Sequence, residues 1–311
     1  MRLVPALFAL LLTAACSSSN VAGPGSTGTG GAGSGGSGAG GDPLIGGDRP
    51  VTVEVPSGYQ PGVPAPLLIM LHGSSVDGDV EELFLHLAPF ADQNGFLYAH
   101  PNGTLDKNGM YFWNATPACC NYTGSTVDDS AYLLSLIDEI GRYYSVDPKR
   151  VFFTGHSNGG FMSYRMACDH ADRIAAIASI AGAMYEDTGA CHPSEAVHVL
   201  EIHGTSDPEV IYDGSPGTAK PGDGPYPSAE TSVKDWATFD GCALTPDTSA
   251  PPMDLDVKLA GAETTVERYT AGCKPGGSAA LWTIHGGVHL PNIGDTFRQD
   301  LFDFFKAHGR P

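Results

Sequence analysis

Five residues, Gly155-His156-Ser157-Asn158-Gly159, join the apolar run 151–154 to a segment of helical character that begins at Gly160. A strand that passes through so short a turn into a helix is strained. Its backbone must run close to the helix and to whatever occupies the turn, and residues larger than glycine at 155 and 159 would obstruct it. Gly160 adds room at the same place. The chain has 41 glycines, so the five-residue pattern alone carries little weight, and the flanking strand and helix give it meaning. Such a turn holds a serine hydroxyl out towards a base, which a poor nucleophile of this kind requires. Ser157 is therefore the candidate nucleophile.

Around this turn, short apolar runs bounded by Gly and Pro alternate with segments of helical period. Strands are expected at 51–55, 67–71, 96–99, 151–154, 174–180, 197–202 and 279–284. Leu133, Leu136, Ile137, Ile140 and Tyr144 repeat at three and four behind the acidic start Asp128-Asp129, which predicts a helix with one buried face. Phe297, Leu301, Phe304 and Phe305 predict another over 295–308, and Pro89 predicts a kink or break in a helix over 80–91. The fold class is α/β, a mostly parallel central sheet with helices on both faces. No repeat of 20 to 50 residues is visible, which argues against a solenoid or propeller.

Reactive groups in such sheets belong at the carboxyl ends of strands. Asp207 lies in the turn His203-Gly204-Thr205-Ser206-Asp207 beyond the run 197–202 and is the candidate acid. Asp213 is its nearest rival, while Asp128 and Asp129 precede the serine and have the wrong order. His203 reads as a satisfied strand-end residue. After the last strand come His285-Gly286-Gly287-Val288-His289-Leu290-Pro291, and the glycines favour His289 as the base over His285 at the strand terminus. Hydrogen-bond donors for a developing oxyanion are expected from the backbone N–H groups of Asn158 and Ser74. No metal or organic cofactor is needed by such a set, and no zinc-ligand spacing accompanies the two histidines.

The start of the chain reads differently. Residues 1–15 have the character of a secretory signal, too short to span a membrane. Cys16 follows, and the junction resembles a bacterial lipobox in which that cysteine is lipidated and becomes the mature N-terminus. Thr13 departs from the usual leucine three places before it, so full secretion is the alternative. Residues 16–47 read as a disordered Gly/Ser-rich linker, roughly 25 to 30 Å across on average, and 48–311 as one catalytic domain. With Cys16 set aside, six cysteines remain, an even number that favours disulfides in an exported chain. Fifteen connectivities are open, and Cys242 with Cys273 is the pair expected, bracketing one local excursion. A formal charge of −19 argues against nucleic acid as a partner and leaves the membrane only the lipid anchor.

Several longer stretches carry a resemblance: residues 66–73, Phe112-Trp113-Asn114-Ala115-Thr116-Pro117-Ala118-Cys119-Cys120, Val127-Asp128-Asp129, the Ser157 turn, and residues 202–207. Together they resemble the polyhydroxybutyrate depolymerase-like and feruloyl esterase-like α/β-hydrolases. The resemblance implies an α/β-hydrolase fold and an exported serine carboxylic ester hydrolase, with Ser157, Asp207 and His289 on the family's nucleophile, acid and base. The implied substrates are feruloyl or acetyl esters on polysaccharide, or hydroxyalkanoate esters. Trp113, with Tyr111, could offer an aromatic face to such a substrate, and core packing is the equal alternative for Trp113. The family usually has glycine before the histidine and tryptophan two places after it; Val288 and Leu290 stand there instead. That departure supports a second expectation, a non-catalytic surface module binding glycan or polyester.

Overall fold

A computed structural model describes residues 45–311. The signal, Cys16 and all but the end of the linker lie outside the described residues. Contacts with the domain are already made ahead of the expected boundary at residue 48. Ile45 is buried and bridges to Val51, and Gly46 N–H donates to Glu139 Oε2 at 2.8 Å.

In chain order the elements are β1 (Val53–Glu54), β2 (Ala65–Leu71), α1 (Gly78–Leu85), α2 (Ala88–Asn94), β3 (Leu97–Ala99), β4 (Thr104–Leu105), β5 (Tyr111–Phe112) and α3 (Asp129–Tyr143). There follow β6 (Val146–His156), α4 (Asn158–Asp169), β7 (Ala176–Ile180), β8 (His198–Gly204), α5 (Ala229–Phe239), β9 (Thr264–Tyr269), β10 (Ser278–Ile284) and α6 (Asp295–Ala307). Eight strands form one sheet in the order β1-β3-β2-β6-β7-β8-β10-β9. All neighbours are parallel except β1 and β9 at the two edges.

The period of two along each strand divides the core. Leu67, Ile69 and Leu71 of β2 join one apolar layer with residues of α3, α4 and α5, whereas Leu68 and Met70 join the other with residues of α1, α2 and α6. Strands buried on both faces read as unbroken apolar runs, which is why the sequence locates the central ones. Edge strand β9 was not expected from the sequence, because its buried Thr264, Val266 and Tyr269 are separated by exposed or half-exposed polar residues. The helix expected over 80–91 is two helices. His86 takes a left-handed conformation after α1, and Pro89 sits in the first turn of α2, where its missing N–H costs nothing. Asp128 caps α3 by accepting from Ala131 N–H.

All six cysteines among the described residues are paired: Cys242 with Cys273 as expected, Cys168 with Cys191, and the neighbours Cys119 and Cys120 with each other. The first two bridges tie the chain beyond α5 to the turn after β9 and the end of α4 to the loop before β8. The chain closed by Cys242–Cys273 contains β9 and that closed by Cys168–Cys191 contains β7, so each bridge spans one strand of the sheet.

Candidate active site

Ser157 is the only residue between β6 and α4, and it holds φ +55° and ψ −118°. A non-glycine residue with positive φ is strained by about 1–2 kcal/mol, so its surroundings must impose it. They do so from three sides. Ser157 N–H donates to Ile180 O at 2.8 Å, and Ser157 O accepts from Phe161 N–H at 3.1 Å. A Cβ on Gly159 would land on the Leu71 carbonyl, and one on Gly160 would stand 2.7 Å from Ser179 Oγ. Only glycine lets the first turn of α4 lie this close to β2 and β7.

Two further turns bring the other expected residues in. Beyond β8, Asp207 Oδ1 accepts from the backbone N–H groups of Glu209 (2.8 Å) and Val210 (3.0 Å). Beyond β10, the loop carrying His289 is laced to that turn: Ser206 N–H donates to Gly287 O, Thr205 N–H to Ile284 O, and Gly286 N–H to Thr205 Oγ1. Across this seam His289 Nδ1 meets Asp207 Oδ2 at 2.7 Å, with both side chains buried. His289 is held from the other side as well. Its carbonyl accepts from His156 Nε2 at 2.8 Å, and the two rings lie 4.6 Å apart. His156 Nδ1 in turn stands 3.4 Å from Glu81 Oε1, while Glu81 Oε2 accepts Gly73 N–H at 2.7 Å. Sequence reasoning passed over His156 and Glu81, although His156 lies within the pentapeptide.

His203 has a richer environment than a strand-end residue needs. Its Nδ1 is 3.1 Å from Glu201 Oε1, and its Nε2 is 2.8 Å from Val210 O and 3.5 Å from Asp207 Oδ2. Burial works against its charge, but the Asp207 and Glu201 carboxylates beside it prevail and hold its pKa up at about 9. Burial likewise opposes ionisation of Asp207, and the hydrogen bonds from His203 and His289 outweigh it, leaving the carboxyl well below its usual range.

Ser74 follows the end of β2 and lines the same cavity as Ser157 and His289, a cleft of about 550 Å³. Asn158 is buried at the first position of α4, where a backbone N–H has no acceptor within the helix. Its carboxamide accepts from Trp113 N–H (2.6 Å) and donates to Trp113 O (3.0 Å). Trp113 does not present a face to substrate, contrary to the first of the two expectations for it. It is fully buried, its indole N–H donates to His72 O at 3.1 Å, and its ring packs against His72. Tyr111 packs edge-on against the same imidazole. The cleft is walled instead by Val80 and Phe84, by Cys119, Cys120 and Tyr122, and by Phe161 and Tyr226, with Leu290 at its rim. Its ionisable walls include Glu81, Glu209 and Asp223; the Glu209 carboxylate is 3.8 Å from His289 Nε2. The rivals stand apart: His285 is exposed and bonded to Thr265 Oγ1, Asp213 is exposed, and Asp129 is buried in an ion pair with Arg49.

No protein-family model matches the sequence. Feruloyl esterase B of Piromyces equi is 32% identical over 267 residues, which cover 85% of this chain and 46% of that protein. A bifunctional acetylxylan esterase/xylanase of Neocallimastix patriciarum is 30% identical over 260 residues, 83% of this chain and 33% of that protein. The chain thus spans about half, or less, of the length of these two relatives. A probable feruloyl esterase C of Aspergillus oryzae is 30% identical over 208 residues, 60% of this chain and 71% of that protein. Among solved structures, the acetyl xylan esterase from Aspergillus awamori superposes with a TM-score of 0.58 at 15% identity, covering 84% of this chain and 96% of that one. At such identity the likeness is one of fold.

The raised pKa of His203 has a consequence for stability. Its folded value of about 9 exceeds the ordinary 6.5, so its contribution is full below about pH 6.5 and fades as pH rises through about 9. The contribution amounts to about 3 kcal/mol at most. Urea unfolding at pH 6.5 and pH 10 should show the wild type losing more stability than His203→Gln over that interval. Equal losses would mean that His203 is not held protonated.

Proposed function

The chain belongs to the feruloyl esterase-like family of α/β-hydrolases, and from that membership we propose that it is a serine carboxylic ester hydrolase whose reacting set is Ser157, His289 and Asp207. The observation that carries this reading is the 2.7 Å hydrogen bond between His289 Nδ1 and Asp207 Oδ2, at the cleft that Ser157 lines from its strained turn. Asp207 accepts a hydrogen bond from Nδ1–H and thereby leaves Nε2 of the neutral imidazole as the acceptor. Ser157 Oγ attacks the ester carbonyl carbon as Nε2 takes its proton. The carbonyl electrons move onto oxygen, where the N–H groups of Asn158 and Ser74 stabilise them. The intermediate collapses, the C–O bond to the alcohol breaks, and the alcohol leaves with the proton from Nε2. Water then attacks the acyl-enzyme, gives its proton to Nε2, and the acid departs as Ser157 recovers its own.

The substrates proposed are feruloyl or acetyl esters of plant polysaccharide. Support comes from the relatives' names and from a cleft with aromatic walls at Phe84, Tyr122, Phe161 and Tyr226. Hydroxyalkanoate esters have no comparable support among those relatives. Three disulfides favour an oxidising, extracellular setting. Lipidation of Cys16 is part of the same proposal. The mass of the mature N-terminus tests it: a diacylglyceryl cysteine is expected, and an unmodified or absent Cys16 would exclude the anchor.

On p-nitrophenyl acetate and methyl ferulate, Ser157→Ala and His289→Ala should each lower kcat by about 10³-fold or more. His285→Ala should stay within about twofold of the wild type, since its ring bonds Thr265 at the surface. Undiminished turnover by Ser157→Ala would exclude this mechanism.

A further inference from the structure

Behind Asp207 runs a buried line of charged groups that the proposed reaction does not use. Glu201 and His203 of β8 are both buried, with Asp207 in the turn that follows. The Tyr164 and Ser179 hydroxyls, from α4 and β7, face the far carboxylate of Glu201. Tyr212 packs edge-on to the His203 ring at 5.6 Å. Beyond Asp207 stand His289, its neighbour His156, and the exposed Glu209.

The proton count at His203 follows from its partners. Val210 O can only accept, so Nε2 carries hydrogen. At Nδ1 the partner is a carboxylate oxygen, which when ionised also only accepts. Burial pushes the Glu201 carboxyl up and its hydrogen bond to His203 opposes that; with Glu201 ionised, the ring has acceptors on both nitrogens and is suited to the doubly protonated form. The pairing also offsets burial, because a lone charge on any one of the three residues would be strongly disfavoured in this position. The position of His203 matters for Asp207 Oδ2, the same oxygen that binds His289. A cation 3.5 Å from that oxygen competes with His289 for its charge. His289 is then kept in the right tautomer by the hydrogen bond, yet surrenders its proton to the departing alcohol more readily than beside an uncontested carboxylate.

We propose that His203 is a positioning residue for the ester hydrolysis, a buried imidazolium between Glu201 and Asp207 that fixes the Asp207 carboxylate and limits how strongly it holds a proton on His289. This rests on reading Ser157, His289 and Asp207 as the reacting set. It turns a residue that looks like strand-end packing into one that sets the working pH of the site.

Two measurements test it. In His203→Gln the competing cation is gone, so the acid limb of the kcat/KM profile should move to higher pH by roughly one unit. The same variant should lose about 10- to 100-fold in kcat with KM within about twofold, since the oxyanion donors and cleft walls are untouched. A merely structural role would lower activity without moving the acid limb. The second measurement needs no variant to fold: proton–nitrogen NMR of the wild type at pH 7.5 should show hydrogen on both ring nitrogens of His203, assigned by contacts to Val210 and Tyr212. A singly protonated ring, or an unmoved acid limb, overturns the proposal. Turnover that survives Ser157→Ala overturns the esterase reading and this proposal with it. Turnover lost in Ser157→Ala alongside an unmoved acid limb in His203→Gln overturns this proposal alone.

Discussion

The first turn of α4 lies against the carboxyl end of β2 with no room for a side chain between them, and the rest of the site depends on that contact. Gly159 abuts the Leu71 carbonyl, and Gly155 lies beneath Gly159. With both approaches closed, the one residue left to make the turn is Ser157, and it takes the positive φ. The strain of about 1–2 kcal/mol is small beside what holds it. Phe161, Met162, Tyr164 and Met166 of α4 are fully buried, and each such side chain contributes about 1.5–3 kcal/mol. The helix is therefore fixed by its packing, and the serine goes where the helix leaves it.

The partner residues are held by a second close approach. Gly204 at the end of β8 meets Gly287 in the turn after β10: a Cβ on Gly204 would strike the Gly287 backbone, and one on Gly287 would strike the Ile284 side chain. Backbone hydrogen bonds then lace the turns together. The Asp207–His289 distance is consequently a property of two neighbouring parallel strands, with little left to side-chain freedom. A third link, from His156 to the His289 carbonyl, ties the proposed base to the strand that leads into Ser157. Asp207 remains ionised in this buried place because two backbone N–H groups and His289 donate to it and His203 stands 3.5 Å from Oδ2.

Much of this was legible in the sequence, and the boundary is physical. The central strands are buried on both faces, so their apolar runs announce them. The turn glycines mark places where only backbone fits. Ser157, Asp207 and His289 were reached from strand ends and chain order, and the last two are in fact bonded to each other. What failed was whatever depends on contacts made at long range. Trp113 read equally as an aromatic face and as core, because nothing nearby in sequence reveals that the His72 carbonyl receives its indole N–H. His203 was the exception: Glu201 lies two residues away on the same face of the strand and Asp207 four residues on, so its pairing was within reach of the sequence and was passed over. Strand β9 was hidden by the half-exposed pattern proper to an edge. The unusual Val288 and Leu290 are both exposed beside His289, and Leu290 reaches the rim of the cleft, so that departure alters the mouth of the site and leaves the Asp207–His289 bond in place.

The central claim is that the strained turn presents Ser157 as an activated nucleophile. Its most direct measurement is covalent labelling of the folded protein with a fluorophosphonate, followed by peptide mass spectrometry. A single adduct on Ser157, absent when the protein is first unfolded in urea, is the expected result. An adduct on another serine, or none on the folded protein, would contradict the account.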